Sequence, residues 1–159
     1  MRFALRLVGK YSYILLTTIV WLTCTCGLAT AADLVVYDDA LASNWHDWSW
    51  NITRNLDNTA PVQSGSRSVS VSFTTAWGGF SLNRYEGEEV TLSGYEKLRF
   101  WIHGGTTGNQ QVRIVINGTD SAITVTATAN TWTQVEIPFS DLGSPAALSS
   151  LYWQDATGG

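Results

Sequence analysis

From Leu34 onward the chain consists mostly of short runs in which apolar and polar residues alternate, and that period excludes most folds. A period of two places successive side chains on opposite faces of a strand. The runs are "LVVYD" (Leu34 to Asp38), "DWSWN" (Asp47 to Asn51), "RSVSVSF" (Arg67 to Phe73), "GFSLN" (Gly79 to Asn83) and "KLRFWIHG" (Lys97 to Gly104). They continue with "QVRIVIN" (Gln111 to Asn117), "AITVTAT" (Ala122 to Thr128), "WTQVEIP" (Trp132 to Pro138) and "SLYWQ" (Ser150 to Gln154). Val, Ile, Thr, Phe and Trp fill these runs and Gly, Asn, Ser and Asp clusters separate them, which predicts an all-β sandwich or barrel. No segment carries a helical stripe; only "PFSDLG" (Pro138 to Gly143) predicts a single turn.

The first 31 residues read differently. Arg2, Arg6 and Lys10 precede the apolar "YILLTTIVWL", and "ATA" at Ala29 to Ala31 offers small residues for cleavage, the pattern of a secretory signal peptide. The apolar run is broken by polar residues and is short for a membrane span of about 20 residues. Removal of residues 1–31 leaves one domain of ordinary size, residues 32–159, in a secreted, extracellular protein. Both cysteines, Cys24 and Cys26, lie in the leader, so this domain must hold together by its core rather than by disulfides. With the three leader cations gone, six Lys+Arg face thirteen Asp+Glu, a net charge of −7. Nucleic acid needs a basic stripe that this chain lacks, and neutral ligands suit it better.

Seven of the eight tryptophans follow the leader, more than core filling requires. Trp48 and Trp50 share one strand face by period two; they either plug the core or form a platform on which a flat sugar ring stacks. Trp77, in "TAWGGF", sits beside two glycines where a bulge or tight turn exposes it. In "KLRFWIH", Leu98, Phe100 and Ile102 point inward, which sends Arg99, Trp101 and His103 to the other face; in "QVRIVIN", Arg113 points outward in the same way. If these two strands are neighbours, Arg99, Trp101, His103 and Arg113 form a polar surface with an indole in it, suited to hydroxyl recognition. A solvated face with ion pairs to Glu96 or Glu136 is the competing reading. Trp132 and Trp153 read as structural. Asn51-Ile-Thr and Asn117-Gly-Thr are glycosylation sequons in a glycosylating host, and Asn117–Gly118 equally reads as a hairpin turn.

Together, "LVVYDDAL", "SGSRSVSVSF", "NTWTQVEIPFSDLG" and "LSSLYWQD" resemble the jelly-roll carbohydrate-binding modules of the galactose-binding-like superfold, which are appended to secreted bacterial glycoside hydrolases. The resemblance covers about Leu34 to Gly159. It implies a jelly-roll β-sandwich that binds polysaccharide or oligosaccharide without modifying it, with a covalently linked catalytic domain as a further partner. It also implies one more strand after the run matching "LYWQD", lying beside the first strand, so the sequence is expected to be cut short at its C-terminus. Acidic residues near Asp38 and Asp39 help to hold a structural calcium in such modules, and the resemblance carries that expectation here; no other cofactor is required.

Catalysis by the domain itself is not expected. A glycosidase needs two carboxylates about 5 to 10 Å apart across a cleft, whereas Glu86, Glu88 and Glu89 read as a loop charge cluster. No serine elbow is present, and His46 and His103 are too few and too far apart in sequence for a convincing zinc site. Two other readings remain open: an N-terminal fragment of an exported glycoside hydrolase, and an adhesion or assembly domain whose face binds protein.

Overall fold

The computed structural model describes residues 2–9, 33–119 and 123–158. Two antiparallel sheets pack face to face. The first contains β1 (Arg2–Gly9), β2 (Leu34–Asp38), β3 (Ala40–Leu41), β5 (Ile52–Asn58), β6 (Ser68–Phe73), β9 (Tyr95–His103) and β12 (Trp132–Pro138). The second runs in the order β11 (Thr124–Thr126), β10 (Gln111–Ile116), β14 (Ser150–Asp155), β7 (Gly79–Asn83), β4 (His46–Asp47). β8 (Val90–Thr91) and β13 (Ala147–Leu148) form a small separate ladder. The observed architecture is the all-β sandwich that the alternation predicted as one of two options, in the jelly-roll form that the resemblance implied.

The core is built from the inward phase of each strand. Leu98, Phe100 and Ile102 from β9 meet Val112, Ile114 and Ile116 from β10 and Leu151 and Trp153 from β14, all essentially solvent-free. Trp153 ties the sheets together: its ring lies 5.7 Å from Phe80 in its own sheet and 5.4 Å, edge-on, from Phe100 in the other. Trp45 is also buried, with the Arg84 guanidinium 5.3 Å from its ring. The helical turn expected at "PFSDLG" is a 3-10 turn over Phe139–Leu142, ended by Gly143 at φ +84°. Asn117 and Gly118 both have positive φ beneath an Ile116–Thr119 bridge, as a two-residue hairpin turn requires.

Three features depart from the sequence reading. β5 was not expected, because "ITRNLDN" is rich in Asn, Asp and Arg and only Ile52 and Leu56 carry an apolar signal; pairing with β6 makes it a strand. "DWSWN" is not a continuous strand: Asp47 accepts the Ser49 amide at 3.0 Å and Asn51 takes φ +51°, leaving β4 and an isolated Trp50–Gly79 bridge. Finally, residues 2–9, read as the start of the leader, form β1 in the middle of the first sheet, between β9 on one side and β2 and β6 on the other. Leu5 and Leu7 are buried there. β1 thus holds the position beside the first strand of the domain where the resemblance placed a later one. The leader's apolar run and the Ala31 cleavage site lie outside the described residues, and no helix among the described residues is long and apolar enough to cross a membrane.

Candidate functional site

The outer face of the second sheet collects aromatic and polar side chains in ladder rows. One row runs Thr124, Arg113, Gln154, Gly79, Trp50, each paired with the next across neighbouring strands. The adjacent row runs Val115, Tyr152, Ser81, and reaches Trp48, whose N–H donates to the Ser81 carbonyl at 3.0 Å. A third joins Ser150, Asn83 and His46. Directly opposed residues share a face, so Trp48, Trp50, Tyr152, Gln154 and Arg113 stand together.

Each aromatic is held differently. Trp50 lies flat on Gly79, where any Cβ would collide with the indole, and meets Tyr152 edge-on at 5.3 Å. Its Nε1–H donates to the Trp77 carbonyl at 2.9 Å, a bond that sets the ring's rotation. Trp48 is 53 % exposed, with Tyr85 5.9 Å away and Tyr85 in turn 4.0 Å from His46. Trp77 is 51 % exposed at the end of the face. Exposing several large rings is unfavourable unless a ligand covers them. The polar groups between them are ordered: the Asn83 amide donates to Ser81 Oγ at 2.7 Å and Gln154 Nε2 to the Trp77 carbonyl at 3.3 Å.

Beneath Trp77 sits Asp155, buried at the end of β14. Burial alone would raise its pKa, but hydrogen bonds from the Thr157 hydroxyl and from the amides of Thr157, Trp77 and Gly158 outweigh it and hold the carboxyl below the usual carboxylate range. A depressed value means that Asp155 is charged, and its bonds intact, at any pH above the ordinary range; its contribution is lost as the pH falls through the lowered value.

The structure separates the residues that the sequence suggested as one surface. β9 and β10 belong to opposite sheets, so Arg99 and Trp101 lie on the far side of the sandwich from Arg113. Arg99 pairs with Asp33 at 2.6 Å and lies 4.0 Å from Glu136, the competing ion-pair arrangement. Trp101 is half-buried beside a hollow of about 390 Å³ with Arg6, Tyr37 and Gln134. His103 is buried; its Nδ1 accepts the Gly105 amide at 3.0 Å and its ring lies 5.2 Å from Trp132. Trp48, Trp50, Trp77 and Arg113 are brought together. Tyr152 and Gln154 were missed, although in the alternating "SLYWQ" the structural reading of Trp153 puts them on the other face; Tyr85, in a loop, gave no such signal.

Asp38 and Asp39, where the resemblance implied a structural calcium, both have protein partners. Asp39 accepts the Ser66 and Arg67 amides at 2.8 and 2.7 Å and the Ser66 hydroxyl at 3.0 Å, so N–H and O–H donors already occupy its oxygens. The Arg67 and Ser66 amides lower its pKa. Asp38 pairs with Arg6 at 3.1 Å. Calcium needs six to eight oxygen ligands, and no group of three or more His, Cys, Asp or Glu side chains converges among the described residues. Excess calcium is therefore expected to leave the melting temperature unchanged; a rise of several degrees would show that these carboxylates rearrange around the ion.

The fold, an all-β sandwich with aromatic and polar side chains gathered on one outer face, is that of a carbohydrate-binding module. Residues 51–146 match the model of the family "Carbohydrate binding domain (family 11)", well over half of the chain, and the chain belongs to that family. It is 29 % identical over 142 residues to an endoglucanase of Dictyostelium discoideum, covering 82 % of this chain but only 20 % of that protein. In fold it is similar to a mutant of a family 29 carbohydrate binding module, with a TM-score of 0.53 at 16 % identity over 77 % of each chain. A family 29 module from Piromyces equi aligns with a TM-score of 0.47 at 10 % identity, over 75 % of this chain and 74 % of that one.

Proposed function

We propose that the carbohydrate bound is a neutral polysaccharide, a glucan by extension from the endoglucanase relative, and that it lies across the strands of the second sheet. The observation that carries this reading is the co-location of Trp48, Trp50, Trp77 and Tyr152 on one face with Arg113, Gln154 and Asn83 between them. Sugar rings present apolar C–H faces that stack on indoles, and their hydroxyls need donors and acceptors in the intervals. A protein-binding face would be more continuously apolar. The relative is about five times longer than the matched segment, which supports a linked catalytic domain that the module would deliver to its substrate.

Secretion follows from the leader. Loss of residues 1–31 on export would remove β1 from the first sheet, but the aromatic face is on the second and makes no ladder contact with β1. The mass of protein recovered from the medium tests whether that cleavage occurs.

The binding test is retention on insoluble cellulose, xylan, chitin and mannan. Retention on cellulose, released by soluble cello-oligosaccharide and unchanged as salt is raised, is the expected result, because a neutral ligand leaves little charge to screen. Failure to bind any of the four, or a steep loss with ionic strength, would overturn it.

A further inference from the structure

We infer that Asp155 is a positioning residue of the aromatic face, setting the angle of Trp50 through the Trp77–Gly78 turn; this rests on the reading of that face as the polysaccharide site. The turn is strapped to Asp155 on both sides. The Trp77 amide donates to its Oδ2 at 3.4 Å, and the Asp155 amide donates to the Gly78 carbonyl at 2.8 Å. Between these two bonds, the Trp77 carbonyl accepts from Trp50 Nε1 at 2.9 Å and from Gln154 Nε2 at 3.3 Å. One peptide unit thus orients an indole and an amide of the face.

The strap opposes an unfavourable conformation. Trp77 has φ +60°, in the left-handed region that L side chains avoid. Gly78 follows because a Cβ there would strike the Asn51 carbonyl. Released from Asp155, the turn has reason to relax, and the Trp77 carbonyl would swing away from Trp50. The carboxylate is itself held in place: Thr157 gives Oδ1 its amide at 3.2 Å and its hydroxyl at 2.7 Å, and the Gly158 amide gives Oδ2 a bond of 3.0 Å. Gly158 also backs the Trp77 indole, 3.5 Å from the position of a Cβ. Buried charge that accepts amides from both sides of a turn gives a rigid mount for groups presented to a ligand.

The test is D155N in the full chain. Asparagine keeps the shape but turns an N–H2 toward N–H donors. Two readouts are taken: hydrogen exchange of the Trp50 indole N–H by NMR without ligand, and retardation in gels containing hydroxyethyl cellulose. Expected is a folded protein in which Trp50 Nε1–H exchanges faster and affinity falls about tenfold. A folded variant with unchanged indole exchange, or with faster exchange and unchanged affinity, would overturn the positioning role. Should D155N fail to fold, T157V removes one donor to Oδ1 and is expected to move both readouts in the same direction by a smaller factor; no change in either would overturn it. If the native chain is not retarded at all, the polysaccharide reading fails for this polymer, and indole exchange alone decides whether Asp155 holds Trp50.

Discussion

Trp50→Ala is expected to weaken glucan binding by about 1–3 kcal/mol, the cost of removing one stacking ring by analogy with base stacking, which is roughly a five- to 150-fold loss in affinity. The effect has two sources. The indole is the platform, and it also caps the Trp77 carbonyl, so its removal loosens the turn that carries a second exposed ring. The fold should survive, because Trp50 lies outside the cluster of buried residues that joins the two sheets. Titration calorimetry with a soluble oligosaccharide, beside a thermal melt, separates the two effects. Trp101→Ala is the informative control: it sits on the opposite sheet and should bind as the native protein does. If Trp101→Ala loses binding and Trp50→Ala retains it, the ligand lies on the first sheet.

Trp153→Ala should be far more destabilising than Trp50→Ala or Trp101→Ala. The side chain is solvent-free and lies against Phe80 and Phe100, from the two sheets. Truncating a buried tryptophan costs about 3–5 kcal/mol through lost transfer energy and the cavity left behind. Native domains have about 5–15 kcal/mol in all, so a fall in melting temperature of about 10 °C or more is expected. Loss of binding in this variant would follow from unfolding and says nothing of the site. A melt within a degree or two of the native one would mean that the sheets close over the cavity, contrary to the usual stiffness of a packed core.

The alternation in "KLRFWIH", "QVRIVIN", "WTQVEIP" and "SLYWQ" was enough to read four strands and the inward phase of Leu98, Phe100, Ile114 and Trp153. Local side-chain period carries that information, and burial of one face enforces it. Turn chemistry was equally local: Asn117–Gly118 and the 3-10 turn before Gly143 follow from residue type. The aromatic wealth and acidic balance are equally legible in the residues alone.

Which sheet each strand joins is fixed by long-range pairing alone. Phase along a strand says in or out; it does not say which of the two outer faces "out" means. Arg99 and Arg113 have the same outward phase, yet they point to opposite sides of the molecule because β9 and β10 pair in different sheets. The same long-range pairing makes a strand of the polar "ITRNLDN", seats Arg2–Gly9 between β2 and β9, and brings Tyr152 and Gln154 beside Trp50. Those pairings join residues far apart in sequence, and their free energy comes from apolar area buried between the sheets, a property of the assembled sandwich that no single run contains.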